Sequence, residues 1–473
     1  MNNSLRIKSI NLILFASLLS GCAMIPDYSR PAYEGSADWA RVPGYEKPLG
    51  EKISSGLGWR EFFSSPELAA VIETALNNNK DIKTATLNIE EARALFRIRR
   101  ADLLPSIRAT GEGNFSEESD ESFLPGQSHK TEIYDAYVGI TSYEIDLFGK
   151  IRSRNEAAIN EYLSIKENYA VVRNALIGET ANAYLQLLAD QKLLLLTQKT
   201  LVTQKRAHDI LVQNLEKGVG TEQDVARTAT AMETAQVNLH QYARLVAQDK
   251  NALFLLMGVG QDTQSLSETT LDDIKLTENL SPGLPSDILL ARPDIRQAEY
   301  GLLARNADIG AARAAFFPSV TLTGSLGFAS SDLGNLFSNG ATGAWSFLPR
   351  LTIPIFEDGR AEANLDVAEI RKEKAIINYE KAIQTAFREV SDELAAKATL
   401  DKQLQSQRRL VAAAQKVYNI SKARYDSGID NFLSVLDAQR ELYSAQQNEI
   451  HIERQHLINL VYLYKVLGGG DVQ

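Results

Sequence analysis

The spacing of apolar positions along the chain changes period several times, and each change predicts an element. In 106–116, Ile107, Ala109, Gly111, Gly113 and Phe115 alternate with Ser106, Arg108, Thr110, Glu112, Asn114 and Ser116. In 319–328, Val320, Leu322, Gly324, Leu326 and Phe328 alternate with polar neighbours in the same way. A period of two predicts strands with one apolar and one polar face. Partner runs follow each. In 131–147 the apolar set is Tyr134, Ala136, Val138 and Ile140, then shifts phase to Tyr143, Ile145 and Leu147, which predicts a bulge near Thr141-Ser142. In 343–356 the apolar set is Trp345, Phe347, Leu351, Ile353 and Ile355. Two proline-free stretches, 149–217 and 359–427, switch to helical spacing. In the second, Ile376, Tyr379, Ile383, Ala386, Val390 and Leu394 recur every three or four residues. Each stretch predicts a helix of about 100 Å at roughly 1.5 Å per residue. Both end at glycine turns, Lys217-Gly218-Val219-Gly220 and Ser427-Gly428-Ile429-Asp430, and returning helices are predicted over 221–257 and 431–467.

The same order of elements occurs twice. Residues 81–107 (DIKTATLNIEEARALFRIRRADLLPSI) align with 294–320 (DIRQAEYGLLARNADIGAARAAFFPSV) at an offset of 213. Residues 215–236 align with 425–446 at an offset of 210, pairing Gly218 with Gly428. So long a period excludes a solenoid. It predicts two copies of one unit, each running helix, strand, strand, long helix, helix. The expected divisions are a signal peptide over 1–21, an N-terminal and equatorial segment over 22–80, and the two copies over 81–280 and 281–473.

The N-terminus sets the compartment. Arg6 and Lys8 precede a short apolar stretch, Ile10 to Leu19, which ends Leu19-Ser20-Gly21-Cys22. Small residues immediately before a cysteine form a bacterial lipoprotein signal, so Cys22 is the expected lipid-attachment residue. Ala23 rather than Asp follows it, which points to the outer membrane. Cys22 is the one cysteine, so no disulfide forms within a copy. The net charge of −10 becomes −12 once Arg6 and Lys8 leave with the signal, which argues against nucleic acid as a partner. Strands of about ten residues with alternating faces suit an outer-membrane barrel. They suit a soluble antiparallel sheet too. Four strands cannot close a barrel, because the smallest use about eight. Either several chains share one barrel or the sheet is not in a membrane. The closest histidine pair, His451 and His456, is spaced i, i+5, which separates the rings around a helix, and no Walker-type loop is present. No metal site, cofactor or catalytic activity is expected.

The chain resembles the outer-membrane factors of the TolC family, in their OprM-like lipoprotein branch. The resemblance rests on Leu19-Ser20-Gly21-Cys22, Tyr143-Glu144-Ile145-Asp146-Leu147-Phe148-Gly149-Lys150, Ala291-Arg292-Pro293-Asp294-Ile295-Arg296, Phe316-Phe317-Pro318-Ser319, Pro354-Ile355-Phe356-Glu357-Asp358-Gly359-Arg360, and Gly428 through Arg440 (GIDNFLSVLDAQR). It implies a mixed α and β fold: a homotrimer with one twelve-stranded transmembrane β-barrel, four strands per chain. A long α-helical coiled-coil tunnel would continue the barrel into the periplasm. It further implies a periplasmic adaptor protein and an inner-membrane pump as partners, with docking at the hairpin tips around Gly218 and Gly428. The expected location is the outer membrane, lipid-anchored and barrel-inserted. The family's periplasmic gate maps onto Leu433 and Asp437, one helical turn apart, with Tyr425 in the tip's bonding network. The basic partner of that network is replaced by Asp430, which puts an arginine-based lock in question. The implied function is the exit duct of a resistance–nodulation–division efflux pump carrying drugs or other small amphiphiles. A protein-secretion duct and a non-conducting lipoprotein scaffold are the alternatives.

Overall fold

A computed structural model describes residues 23–31, 57–117, 130–260, 269–278, 280, 292–338 and 342–469. The predicted order holds. After a single turn α1 (Trp59–Phe62) and helix α2 (Pro66–Asn78) come α3 (Lys80–Ala101), β1 (Ile107–Glu117), β2 (Lys130–Ile145), α4 (Lys150–Glu216) and α5 (Glu222–Met257). The second copy runs α6 (Pro293–Ala314), β3 (Ser319–Ser330), β4 (Thr342–Thr352), α7 (Arg360–Asp426) and α8 (Phe432–Val466). Helices α4 and α7 have 67 residues each. The chain groups into two compact units that each draw on both copies. One takes 1–32, 89–165 and 297–379; the other takes 33–88, 166–296 and 380–473.

The first unit contains an antiparallel sheet in the order β1-β2-β3-β4. Its register aligns the apolar positions of neighbouring strands. Ala109 pairs with Val138, Val138 with Leu326, and Leu326 with Trp345. The next row is Gly111, Ala136, Phe328 and Gly343. This apolar face is open: Leu326 is 69% exposed, Trp345 77% and Val138 51%. A soluble sheet would bury such a face on a core. The bulge lies where the phase switch predicts it. Ile140 pairs with Gly324 and Tyr143 with Leu322, so one extra β2 residue is accommodated. Ser142 there adopts a left-handed φ of 54°, and its N–H donates to Thr323 Oγ1 at 3.3 Å.

Two strands, β2 and β4, end earlier than expected. β4 stops at Thr352, short of the expected 356, because Thr352 pairs with Ser319, the first residue of β3, and Pro354 has no N–H to continue a ladder. β2 stops at Ile145 because Asp146 turns to cap α4. Its carboxylate accepts from the N–H groups of Ile151 (3.1 Å) and Arg152 (2.9 Å) and from Arg152 Nε (3.1 Å). An anion on the first turn satisfies otherwise unpaired donors and suits the helix dipole. Glu144 pairs with Lys150 Nζ at 3.1 Å, so the Tyr143–Lys150 motif is one strand-to-helix corner.

The second unit is helical. α1 and α2 bring Trp59, Phe62, Phe63, Leu68, Val71 and Ile72 into one core cluster. Tyr184 and Leu185 of α4, Leu253 and Met257 of α5, Leu394 of α7, and Leu460 and Tyr464 of α8 complete it. Phe62 stacks on Tyr464 at 4.4 Å. Asn79 caps α3: its Oδ1 accepts from Asp81 N at 2.7 Å and Ile82 N at 3.3 Å, while its Nδ2 donates to Leu256 O. The stripe read from the sequence of α7 is buried at Tyr379, Ile383, Ala386, Val390 and Leu394.

The hairpin tips as candidate functional site

The two hairpin tips are built alike because both use one C-cap. Gly218 (φ 74°) donates to Leu215 O and Val219 to Asn214 O, both at 2.9 Å. Gly428 (φ 73°) donates to Tyr425 O and Ile429 to Arg424 O, again both at 2.9 Å. This is the double bond pattern of a Schellman cap, whose left-handed residue favours glycine. The residue after each glycine is an exposed aliphatic, Val219 at 77% and Ile429 at 63%. The returning helices start on side-chain caps. Thr221 Oγ1 accepts from Asp224 N at 3.2 Å, and Asn431 Oδ1 accepts from Ser434 N at 3.4 Å.

The charges at the two tips differ. At the first tip, Thr221 donates to Asp224 Oδ2 at 2.6 Å. At the second, Arg424 grips Asp430 with two bonds, Nε to Oδ2 at 2.5 Å and a terminal nitrogen to Oδ1 at 3.1 Å. The Arg424 hydrogen bond and charge hold the Asp430 carboxyl below its usual range. Asp430 thus does not remove arginine from the tip; it takes its own, six residues back along the chain. Tyr425 packs edge-on against Phe432, ring centres 5.0 Å apart.

Leu433 and Asp437 share a helix face, as their spacing requires. Both line a groove of about 490 Å³ together with Leu436 and Arg440 of α8, and its far wall includes Arg227, Thr230 and Thr234 of α5. Asp437 Oδ1 accepts from Arg440 at 3.2 Å, and both side chains are more than half exposed. Sequence reasoning missed Arg440, Arg424 and Arg227. The i, i+3 spacing of Asp437 and Arg440 was the available signal for the first. Nothing local announces Arg227, which reaches the groove through the packing of α5 on α8.

Cys22 lies outside the described residues. Among the described residues, no group of three or more His, Cys, Asp or Glu side chains could hold a metal ion. His456 Nε2 lies 2.7 Å from Asp401 Oδ1 and His208 Nδ1 lies 3.1 Å from Thr228 Oγ1, so these two histidines serve helix–helix packing. No helix among the described residues is long and apolar enough to cross a membrane.

Comparison with known proteins agrees with this architecture. The family described as outer membrane efflux protein matches residues 71–259 and 284–469, which follow the two copies. The antibiotic efflux pump outer membrane protein ArpC of Pseudomonas putida is 45% identical over 462 residues, covering 98% of this chain and 95% of the relative. The toluene efflux pump outer membrane protein TtgC of the same species matches with the same identity and coverage. Among solved structures, the open state of the Neisseria gonorrhoeae MtrE outer membrane channel superposes with a TM-score of 0.87. It is 36% identical, and the match covers 95% of this chain and 99% of that one. With both copies matched in order and the strand–helix framework shared, the chain belongs to the outer membrane efflux protein family.

Proposed function

We propose that this chain is the outer-membrane exit duct of a tripartite efflux pump of the resistance–nodulation–division type. Three copies would share one barrel and hand cargo outward without chemistry of their own. The observation that carries this reading is the sheet. Each of its four strands carries exposed apolar side chains, Ile107, Val138, Leu326 and Trp345 among them, and β1 and β4 each have one edge without a partner strand among the described residues. An open edge has no place in lipid, where every backbone donor and acceptor needs a protein partner. Three four-stranded sheets joined edge to edge remove all six edges. Helices α4 and α7, about 100 Å long at roughly 1.5 Å per residue, are suited to crossing a periplasm. Cys22 is the lipid-bearing residue in this reading. The exposed tips at Gly218 and Gly428 receive the adaptor, and the pump below supplies the energy. The cargo class is small amphiphiles: the relatives whose names carry antibiotics and toluene support it, as does a sequence with only four methionines and one cysteine for binding soft metals.

In the same reading Leu433, Asp437 and Tyr425 form the periplasmic gate. Leucine rings resist wetting, and acidic rings attract cations. The test is conductance in planar bilayers. Leu433→Ala should raise the resting conductance, and Asp437→Ala should weaken block by divalent cations, while Asp392→Ala on α7 changes neither. Identical behaviour of Asp437→Ala and Asp392→Ala would remove Asp437 from the gate. Mainly monomeric protein by native mass spectrometry, with conductance retained, would sink the shared barrel. A chain that restores solvent and antibiotic tolerance to a strain lacking its own duct fits the efflux role. Restoration of protein export instead would favour the secretion alternative.

A further inference from the structure

Residues 23–31 form a strap with no regular secondary structure, yet they are fixed along α6 at several points. Asn306 Nδ2 donates to Pro26 O at 2.8 Å. Arg30 grips Glu299 through two bonds of 2.8 Å, and Tyr28 donates to the same carboxylate at 3.2 Å. Going back from Arg30 to Ile25, the contacts climb α6 from Glu299 through Asn306 to Gly310. Two glycines leave room for the strap. A Cβ on Gly310 would come within 2.7 Å of Ile25 Cγ1 and 2.8 Å of Ile25 N. A Cβ on Gly149 would come within 2.6 Å of Ala23 Cα. The strap therefore ends at the corner where α6 gives way to β3 and β2 gives way to α4.

A shallow, open apolar crevice of about 550 Å³ lies at that point, lined by Met24, Ile25, Phe316, Phe317, Leu365 and Arg313. Phe316 is 44% exposed and Phe317 41%, though Phe317 also stacks on Phe148 at 4.7 Å. The strap itself supplies two of the walls. Its first described residue, Ala23, is one peptide unit, about 3.8 Å between Cα atoms, from Cys22. The rim's cation, Arg313, already faces Glu369 at 3.6 Å, which leaves the crevice suited to a hydrocarbon chain rather than to an anionic headgroup.

We infer that the crevice is the seat of a fatty acyl chain carried by Cys22 of the same protomer, held against Phe316, Phe317 and Leu365 at the base of the sheet. This rests on Cys22 being the lipidated residue. The strap makes the anchor a positioned part of the fold rather than a loose tether. It fixes the depth at which the lipid leaves the protein relative to the first residues of β3.

The test uses cells fed palmitic acid bearing a diazirine, followed by irradiation, purification of the full chain and mass spectrometry of its peptides. The intact mass reports acylation of Cys22 independently. Cross-links concentrated on the peptides carrying Phe316-Phe317 and Leu365 are expected. The same mature chain exported behind a signal that is cleaved without lipidation should lose those cross-links while keeping the ones that membrane lipid makes on the Trp345 face of β4. If the unlipidated chain keeps the crevice cross-links, bulk lipid fills the site and the inference is overturned. Acylated Cys22 with cross-links only on β4 overturns it too, leaving the anchor itself intact. An unacylated Cys22 overturns both.

Discussion

Arg292 should be a stability determinant of the helical unit, and the size of its contribution follows from its surroundings. It stands immediately before Pro293, the first residue of α6, with its side chain only 8% exposed. Nε and a terminal nitrogen bind the two oxygens of Asp294 at 3.0 and 2.7 Å. The same terminal nitrogen reaches Glu389 of α7 at 2.7 Å, and the other donates to the carbonyl of Val466, the last residue of α8, at 3.2 Å. Arg292→Ala would leave two carboxylates without their counter-charge and a helix-end carbonyl without a donor. Breaking a buried ion pair by removing one partner costs about 3–5 kcal/mol. Asp294 and Glu389 are about one-third exposed, so water can screen them and the lower end, about 3 kcal/mol, applies. A helical body of a few hundred residues unfolds with about 0.6 kcal/mol/K of entropy, so Tm should fall by about 5 °C. Arg292→Lys keeps the charge but not the fork and should fall between. The assay is the loss of helical circular dichroism in detergent on heating at one scan rate. Lys422→Ala, which breaks a half-exposed pair with Asp426, is the control and should not shift measurably. If Arg292→Ala melts together with Lys422→Ala, the burial argument is wrong.

Other expectations rest on independent sites. Phe62 is fully buried, stacked on Tyr464 and edge-on to Phe63, so Phe62→Ala should cost about 3–5 kcal/mol by the same melt. Tyr464→Phe, which removes the bond from its hydroxyl to Leu57 O at 3.0 Å, should cost about 1 kcal/mol. The Asp249 carboxyl of α5 is pushed up to about 7, first by burial and then by the hydrogen bond and charge of Asp190, against a smaller opposing pull from Arg454. Its folded pKa is above the unfolded value, so its contribution is fully present below about pH 4 and is lost as pH rises towards 7. Asp249→Asn should therefore flatten the fall of Tm across that window. An unchanged pH profile would show that Asp249 ionises normally in the folded chain.

The period of the pattern carried most of the fold because backbone hydrogen bonding admits few periods. Two faces alternating every residue cannot pack as a helix, and proline-free stretches as long as 149–217 and 359–427 leave little but a helix. Even the bulge showed, since one inserted residue must flip the phase from Ile140 to Tyr143. What failed to show depended on partners distant in sequence. The end of β4 at Thr352 is set by where β3 begins, not by the apolar run that continues to Ile355. The strap has no period, and its anchoring residue Glu299 lies 269 positions from Arg30. At the tips, Leu433 and Asp437 were legible as a face but Arg227 was not, because only the packing of α5 on α8 brings it there.

Comparing the two copies separates what geometry requires from what function could have chosen. At both tips a chain must reverse from one long helix into another, and both solve it with the same left-handed glycine and the same pair of backbone bonds. No such necessity governs the side chains around the turn, and there the copies part. The first tip has a threonine–aspartate cap at Thr221 and Asp224, whose bonds stay within one turn. The second carries Arg424 bound across the turn to Asp430, with Tyr425 and Phe432 packed beside them, so the end of α7 is tied to the start of α8. Leu433 and Asp437 sit on the helix that leaves this tied turn. The groove beside it is walled by both hairpins, with Arg227 and Thr230 from the first and Asp437 and Arg440 from the second, so its lining depends on how the two hairpins pack and not on the turn alone.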